Sequence, residues 1–390
     1  MTNIYFDNSA TTQACPEAIL AATEVMSREF GNPSSSHALG AVAFRSLNKA
    51  REICAKIISA NPEEIYFTGS GTESNNTAIL GAAQAFGKSR RKLLILSTEH
   101  PSVIEPAKHL AGREYDLCFI PTDKQGLLNL STLSELLDDD VFLLSVAHVN
   151  NETGAIQPLR EIGAMLRKHA PEVFFHVDGV QSFARLPVEL KAWQADAFSA
   201  SGHKIHASKG VGFLWLKKSR HLPPLLYGGG QERRFRSGTE NMPGIMAFAA
   251  AAELAAVDMN AHAQHMEQIK TFLRDSLREN IADCQVNGPE EQVAHHILNM
   301  SFLGVRSEVL LHCLEEQGIF VSAGSACTSR SSKGSHVLSV MGLSEAVVDS
   351  AIRFSLCRYN TVSEAKEALP IIISTVNEMR SLTGYNSKRG

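Results

Sequence analysis

Between about residues 15 and 220, short runs rich in β-branched and aromatic side chains alternate with stretches whose apolar positions recur at helical spacing. The runs predict strands over Glu64–Thr68, Leu93–Ser97, Leu117–Ile120, Val141–Val146, Val173–Val177, Ala197–Ser199 and Gly212–Leu216. Among the intervening stretches, Pro158–His169 places Leu159, Ile162 and Leu166 on one face and predicts an amphipathic helix. Strand and helix in strict alternation predict βαβ units around a mainly parallel, seven-stranded sheet, an α/β architecture.

The rhythm changes after Asn241. An alanine-rich stretch, Gly244–Val257, runs into the more polar but periodic Met259–Asn280, which predicts one or two long helices leaving the core. Beyond lie strand candidates Leu298–Phe302, Ile319–Ser322 and Ala351–Ser355, and a helix Ser307–Gln317 ended by Gly318. Without regular crossovers, these predict a smaller α+β domain. The predicted division is a large domain over 15–258 and a small domain formed by 1–14 with 259–390.

Composition narrows the function. Lys plus Arg total 37 and Asp plus Glu 41, a net charge of −4, with no basic stripe, so nucleic acid is not expected as a direct ligand. Seven scattered cysteines without a C-x-x-C pair suit neither a disulfide framework nor a thiolate zinc site. No metal site is expected, and the thiols predict a reducing, cytoplasmic setting. No apolar run approaches the roughly 18 residues of a membrane helix, and the N-terminal residues lack the pattern of an export leader, so no membrane association is expected.

Four segments carry candidate chemistry. In Phe67-Thr-Gly-Ser-Gly-Thr-Glu-Ser-Asn-Asn76, small residues and Thr72 open a helix, where free N–H groups and the dipole suit a phosphate. The same residues read equally well as a glycine turn with Thr72 or Ser74 as N-cap. In Phe174-Phe-His-Val-Asp-Gly-Val-Gln181, an apolar strand ends in Asp178, where an open α/β sheet binds ligands, although an acid there is also a common N-cap. In Asp196-Ala-Phe-Ser-Ala-Ser-Gly-His-Lys204, a lysine follows a strand in a turn of small residues; partial desolvation would free its amine for a Schiff base, where most lysines are solvated charges. Phosphate cradle, acid and lysine are the three groups that pyridoxal phosphate requires. In Ser322-Ala-Gly-Ser-Ala-Cys-Thr-Ser-Arg330, small neighbours cannot bury Cys327, and Arg330 and Lys333 favour its thiolate, whereas Cys54 and Cys313 lie in helical patterns and read as core.

These segments occur in order with Tyr5–Thr12, Gly31–His37, Thr98-Glu-His100, Asn150–Gly154, Gly228–Glu232, Arg236–Thr239 and Arg353-Phe-Ser355. Over nearly its whole length the sequence resembles the cysteine desulfurases of the NifS/IscS-like group, class-V aminotransferases of pyridoxal-phosphate fold type I. The resemblance implies that Lys204 holds the cofactor and moves the substrate Cα proton, Asp178 keeps the pyridine nitrogen protonated, and Gln181 binds the ring hydroxyl. It implies that His100 stacks on the ring as proton donor or acceptor, and that Gly71, Thr72, Ser201 and His203 bind the phosphate with Thr239 of a homodimer partner. Asn151 would contact cofactor and substrate, Arg353 the substrate carboxylate, and Cys327 would take the sulfur of L-cysteine as a persulfide. The sulfur would then pass to an acceptor protein, an Fe–S scaffold or a tRNA-thiolation enzyme. A selenocysteine lyase or other pyridoxal-dependent C–S lyase, and a non-catalytic adaptor on the same fold, are the alternatives. The chain departs from the family pattern at Ala207-Ser208, where Gly-Pro is usual, and at Arg234 and Cys357, where glycine is usual.

Overall fold

The structure, a computed structural model, describes residues 3–324 and 334–385. Cys327 and its neighbours therefore lie outside the described residues. The chain begins with a two-residue strand, β1 (Ile4–Tyr5). The next seven strands form one sheet: β2 (Ile65–Thr68), β3 (Lys92–Leu96), β4 (Asp116–Ile120), β5 (Val141–Ala147), β6 (Phe174–Asp178), β7 (Ala197–Ser201) and β8 (Gly212–Leu216). Their order is β2-β8-β7-β6-β5-β3-β4, and only β8 runs against its neighbours. Every residue of β5, β6, β7 and β8 is buried, the signature of a sheet covered on both faces, which explains why these strands are mostly apolar on both faces instead of alternating. The carboxyl ends of the six like-directed strands share one edge, and in open α/β sheets that edge binds ligands.

Three further strands, β9 (Cys284–Val286), β10 (Ile297–Phe302) and, after the short β11 (Ile319–Phe320), β12 (Ala351–Ser355), complete the strand set; β9, β10 and β12 make an antiparallel sheet. It packs with helices Met259–Asn280 and Val362–Thr383 around a separate core that includes Phe6, Leu273, Phe302, Phe354 and Ile372. β1 pairs in parallel with β11, and Asp7 bridges to Ser355, so the N-terminal segment runs beside the last strands of the chain. The segment then crosses to the first sheet: Thr12 N donates to His203 O at 2.9 Å, and Cys15 N to His206 O at 2.8 Å.

Most predicted elements are present with ends moved by a residue or two. β9, which begins at Cys284, is a strand that the sequence pattern does not predict; Ile319–Ser322 shortens to β11 with an isolated bridge from Ser322 to Arg353. Cys313 is half-buried instead of core, while Cys54 is fully enclosed. Among the described residues, no single helix is long and apolar enough to cross a membrane, and no cluster of His, Cys, Asp or Glu could hold a metal.

Candidate active site

The turn after β2 sets one wall of the site. Ser70, not Thr72 or Ser74, caps the helix Gly71–Phe86, its hydroxyl accepting from Glu73 N at 3.1 Å. The first N–H groups of that helix, at Gly71 and Thr72, have no acceptor within it and carry the positive end of its dipole. Gly71 is required by packing: a Cβ there would lie 2.7 Å from Val180 Cγ2 and 3.2 Å from Ser201 Cβ. Three strand-end loops thus converge on one point.

Asp178, the last residue of β6, forms the opposite end. Its Oδ1 accepts from Val180 N at 2.9 Å and its Oδ2 from Asn75 Nδ2 at 2.7 Å. With both oxygens accepting, the group is a carboxylate aimed at the cavity. Between these ends lies Lys204, in the 3₁₀ turn Gly202–Lys204 after β7, its Nζ donating to Ser9 O at 2.5 Å and Ala10 O at 2.9 Å. Gln181 Nε2 also donates to Ser9 O, at 3.0 Å. The crossing N-terminal segment therefore holds both the amine and the amide.

His100 follows β3 and caps the helix Pro101–Ala111, its Nδ1 accepting from Ser102 N at 3.1 Å. Burial holds its pKa below the usual imidazole range, opposed by Asp178 and reinforced by Lys204. His203 is pushed down to about 4 by burial first and the Lys204 charge second, so it is neutral near pH 7. Glu99 is buried against the Asp178 carboxylate; burial first, and that charge second, raise its pKa well above the carboxylate range, and it accepts from Ala147 N. Arg185, also buried, is pushed down to about 10 and donates to Lys204 O.

Arg353 on β12 reaches in from the second sheet. Its side chain is 1% exposed, with Nη2 2.7 Å from Asp7 Oδ1 and Nη1 donating to Asn151 O at 2.9 Å. Asn150 fixes the loop bearing Asn151, accepting at Oδ1 from Glu152 N and Thr153 N, both at 2.9 Å.

Gly71, Thr72, His100, Asn151, Asp178, Gln181, Ser201, His203, Lys204 and Arg353 all line one cavity of about 200 Å³ at the carboxyl edge of the sheet. Thr239 does not line it; it sits on an exposed turn beside Arg236, which pairs with Glu73 at 2.8 Å. The cavity also takes in Ser9 and Ala10, from the Tyr5–Thr12 segment, and Ser102, which the sequence did not single out. Chemically, the donor set fits pyridoxal phosphate: a helix N-terminus with two hydroxyls for an anion, a carboxylate for a protonated ring nitrogen, and an amine for a carbonyl.

The departures from the family pattern have a local explanation. The left-handed backbone that a glycine would favour falls at His206 (φ +69°) and not at Ala207, so the alanine is accommodated without strain. Glu232, Arg233 and Arg234 are left-handed in succession, at φ +45°, +56° and +67°, and Arg234 thus occupies a conformation that suits glycine. Cys357 is 7% exposed and its thiol is raised by burial, which makes it a packed side chain in the turn after β12.

Comparisons with known proteins agree with this geometry. The family described as aminotransferase class-V matches residues 4–367. The cysteine desulfurase of Trichormus azollae is 36% identical over 387 residues, 99% of this chain and 96% of the relative. Among solved structures, a NifS-like protein superposes with a TM-score of 0.91 at 35% identity, covering 97% of this chain and all of that one. The structure titled SspA in complex with cysteine gives a TM-score of 0.80 at 30% identity, covering 92% of this chain and 100% of its own. A family match over residues 4–367 and relatives matched along almost the entire chain, on a fold-type-I sheet, place this protein in the class-V aminotransferase family, among the cysteine desulfurases.

Proposed function

We propose that the chain converts L-cysteine to L-alanine and transfers the sulfur to Cys327, using pyridoxal phosphate held by the residues around the cavity. The observation that carries this reading is the convergence of helix N-terminus, Lys204 amine and Asp178 carboxylate on one cavity with Arg353 at its rim. Bound there, the cofactor supplies an electron sink that makes the substrate Cα proton labile. Gly71 and Thr72 N–H groups, with the Ser201 hydroxyl and neutral His203, hold its phosphate; Thr239 of a second copy completes that cradle. Asp178 keeps the ring nitrogen protonated, and Gln181 meets the ring hydroxyl. The Arg353 fork takes the substrate carboxylate beside Asn151.

Lys204, its amine held against the Ser9 and Ala10 carbonyls, would move the substrate Cα proton, and His100 presents a neutral imidazole to the same space. The Cys327 thiolate attacks the substrate sulfur: an S–S bond forms, the substrate Cβ–S bond breaks, and the carbon fragment takes up protons to leave as alanine. The sulfane sulfur then passes to an acceptor protein serving Fe–S cluster assembly or tRNA thiolation.

Several features support the wider reading. Ile19, Leu20, Met26, Phe30, Leu39, Phe44 and the Leu225–Tyr227 run are exposed apolar residues concentrated on the helices Pro16–Ser27 and Ala38–Ile57, the connection between them and one later loop, as a homodimer face requires. The division at 15–258 is supported by separate cores and by the 76° bend between helices Met242–Ala256 and Met259–Asn280, with Asp258 left-handed at φ +53°. A cytoplasmic setting is supported by unpaired cysteines throughout the described residues.

Mass spectrometry after incubation with L-cysteine tests the proposal. One added sulfur is expected on the peptide containing Cys327, and Cys327→Ala should lose alanine release. Release from that variant at the parental rate would instead favour a C–S lyase that needs no protein thiol. Protein that acquires no visible absorbance with pyridoxal phosphate would overturn the enzyme reading.

A further inference from the structure

His100 is held by more than its place at the start of a helix. Its Nδ1 lies 2.8 Å from Ser102 Oγ in addition to accepting from Ser102 N at 3.1 Å. Ser102 Oγ in turn accepts from Asn75 Nδ2 at 2.9 Å, and the same Nδ2 donates to Asp178 Oδ2 at 2.7 Å. The donors can be assigned without ambiguity. A carboxylate oxygen only accepts, so the Asn75 amide must turn its NH₂ toward Asp178, and its two hydrogens serve Asp178 and Ser102. That orientation leaves Asn75 Oδ1 buried without a partner, which is tolerated because the flipped amide would set its oxygen against the carboxylate. The Ser102 backbone N–H can only donate, so Nδ1 is the acceptor there, and the Ser102 hydroxyl, which takes the Asn75 N–H at its oxygen, turns its one hydrogen to the same nitrogen. Two donors therefore meet that nitrogen, the ring hydrogen sits on Nε2, and the imidazole is neutral.

We infer that Ser102 and Asn75 are positioning residues for the reaction, forming a continuous bridge that fixes the His100 ring and its tautomer relative to Asp178. The inference rests on the role given to His100 above. The bridge joins three strand ends: Asn75 stands on the helix after β2, Ser102 and His100 follow β3, and Asp178 closes β6. All four side chains are buried or nearly so, so water does not compete for these hydrogen bonds. Among the described residues, the charges that face the ring are Asp178 and Lys204, of opposite effect. A fixed Nε2–H gives the cavity one donor of defined direction, without a choice between two tautomers.

The test uses the holoenzyme with ¹⁵N-labelled histidine, the His100 signals being assigned by their loss in His100→Gln. In the parent, Nδ1 should resonate as an unprotonated, hydrogen-bonded nitrogen. In Ser102→Ala that signal should move toward the unbonded position, and kcat should fall about five- to tenfold, the equivalent of one ordinary hydrogen bond, with KM changed less than about twofold. Ser102→Thr, which keeps the hydroxyl, should restore both. Asn75→Ala should reproduce the kcat loss by cutting the bridge at its other end. An unchanged Nδ1 signal and unchanged kcat in Ser102→Ala, or a loss that Ser102→Thr does not recover, overturns the inference. If His100→Gln turns over at the parental rate, the role of His100 itself is wrong, whereas an impaired His100→Gln beside an unaffected Ser102→Ala refutes the bridge alone.

Discussion

His176 offers a quantitative check on the interior of the central sheet. It lies on β6 with its ring between two neighbouring strands, Nδ1 2.8 Å from Ser145 Oγ on β5 and Nε2 2.9 Å from Ser199 Oγ on β7. The residue is 0% exposed, and burial pushes its pKa down to about 4 despite the nearby Asp178. In the unfolded chain a histidine titrates near 6.5. The unfolded state therefore takes the proton first. This residue's contribution to stability is complete above about pH 6.5 and is lost as pH falls from there toward 4. At pH 5 the loss amounts to about 1.5 pH units, or about 2 kcal/mol. Urea unfolding of the cofactor-free protein, followed by circular dichroism at pH 7 and pH 5, measures it against His176→Gln. The variant should be weaker at pH 7, because a packed, doubly bonded ring is gone. Its further loss between pH 7 and pH 5 should nevertheless be smaller than the parent's by about 2 kcal/mol. His148, His206 and His295, also held low by burial, are present in both proteins and cancel in the comparison. Equal losses in parent and variant would refute the reasoning.

Two other outcomes are expected. Arg234→Gly should stabilise the protein by about 1 kcal/mol, since glycine accepts the left-handed backbone at φ +67° that costs an arginine; a lowered melting temperature would contradict this. Glu232→Gln should destabilise by about 3–5 kcal/mol in denaturant unfolding, because it leaves the Arg51 charge buried without its partner. The two groups meet at 2.8 Å through both oxygens with side-chain exposures of 3% and 2%, and Glu232 also accepts from Phe67 N at 3.0 Å; a loss below about 1 kcal/mol would rule out that account.

What the sequence made legible follows the range of the interactions involved. β5 and β6 were readable because strands covered on both faces are mostly apolar, and Asp178 stood out as the acid that ends such a run. Glu64 was drawn into β2 by its apolar neighbours, but its carboxylate accepts from Asn61 N at 3.1 Å and Trp215 Nε1 at 3.1 Å, so it closes the turn before the strand. The cap of the next helix falls at Ser70 because Gly71 must pack against Val180, a contact 109 positions away that no local pattern records. β1, with two residues, is too short for any periodicity to register, and although Ser9 and Ala10 lie in the Tyr5–Thr12 motif, no local pattern records their meeting with Lys204 across 195 and 194 positions. Ser102 carried a local signal, a hydroxyl two positions after a histidine at a helix start, but the amide that makes it matter comes from another helix.

The N-terminal segment has a consequence for how the protein is made. Asp7 meets Arg353 across 346 positions, and Asn8 donates to Ser355 O across 347. On the ribosome, the cofactor-binding loops of the first sheet are synthesised well before Arg353, and until β12 emerges the segment over Lys204 has its bonds to His203 and Lys204 but not those to Arg353 and Ser355. Chains cut short before that strand would carry Lys204 and Asp178 without an ordered substrate end. The substrate-carboxylate end of the cavity can therefore form only after residues 351–355 have been made, although the lysine and the acid that it serves are encoded about 150 positions earlier.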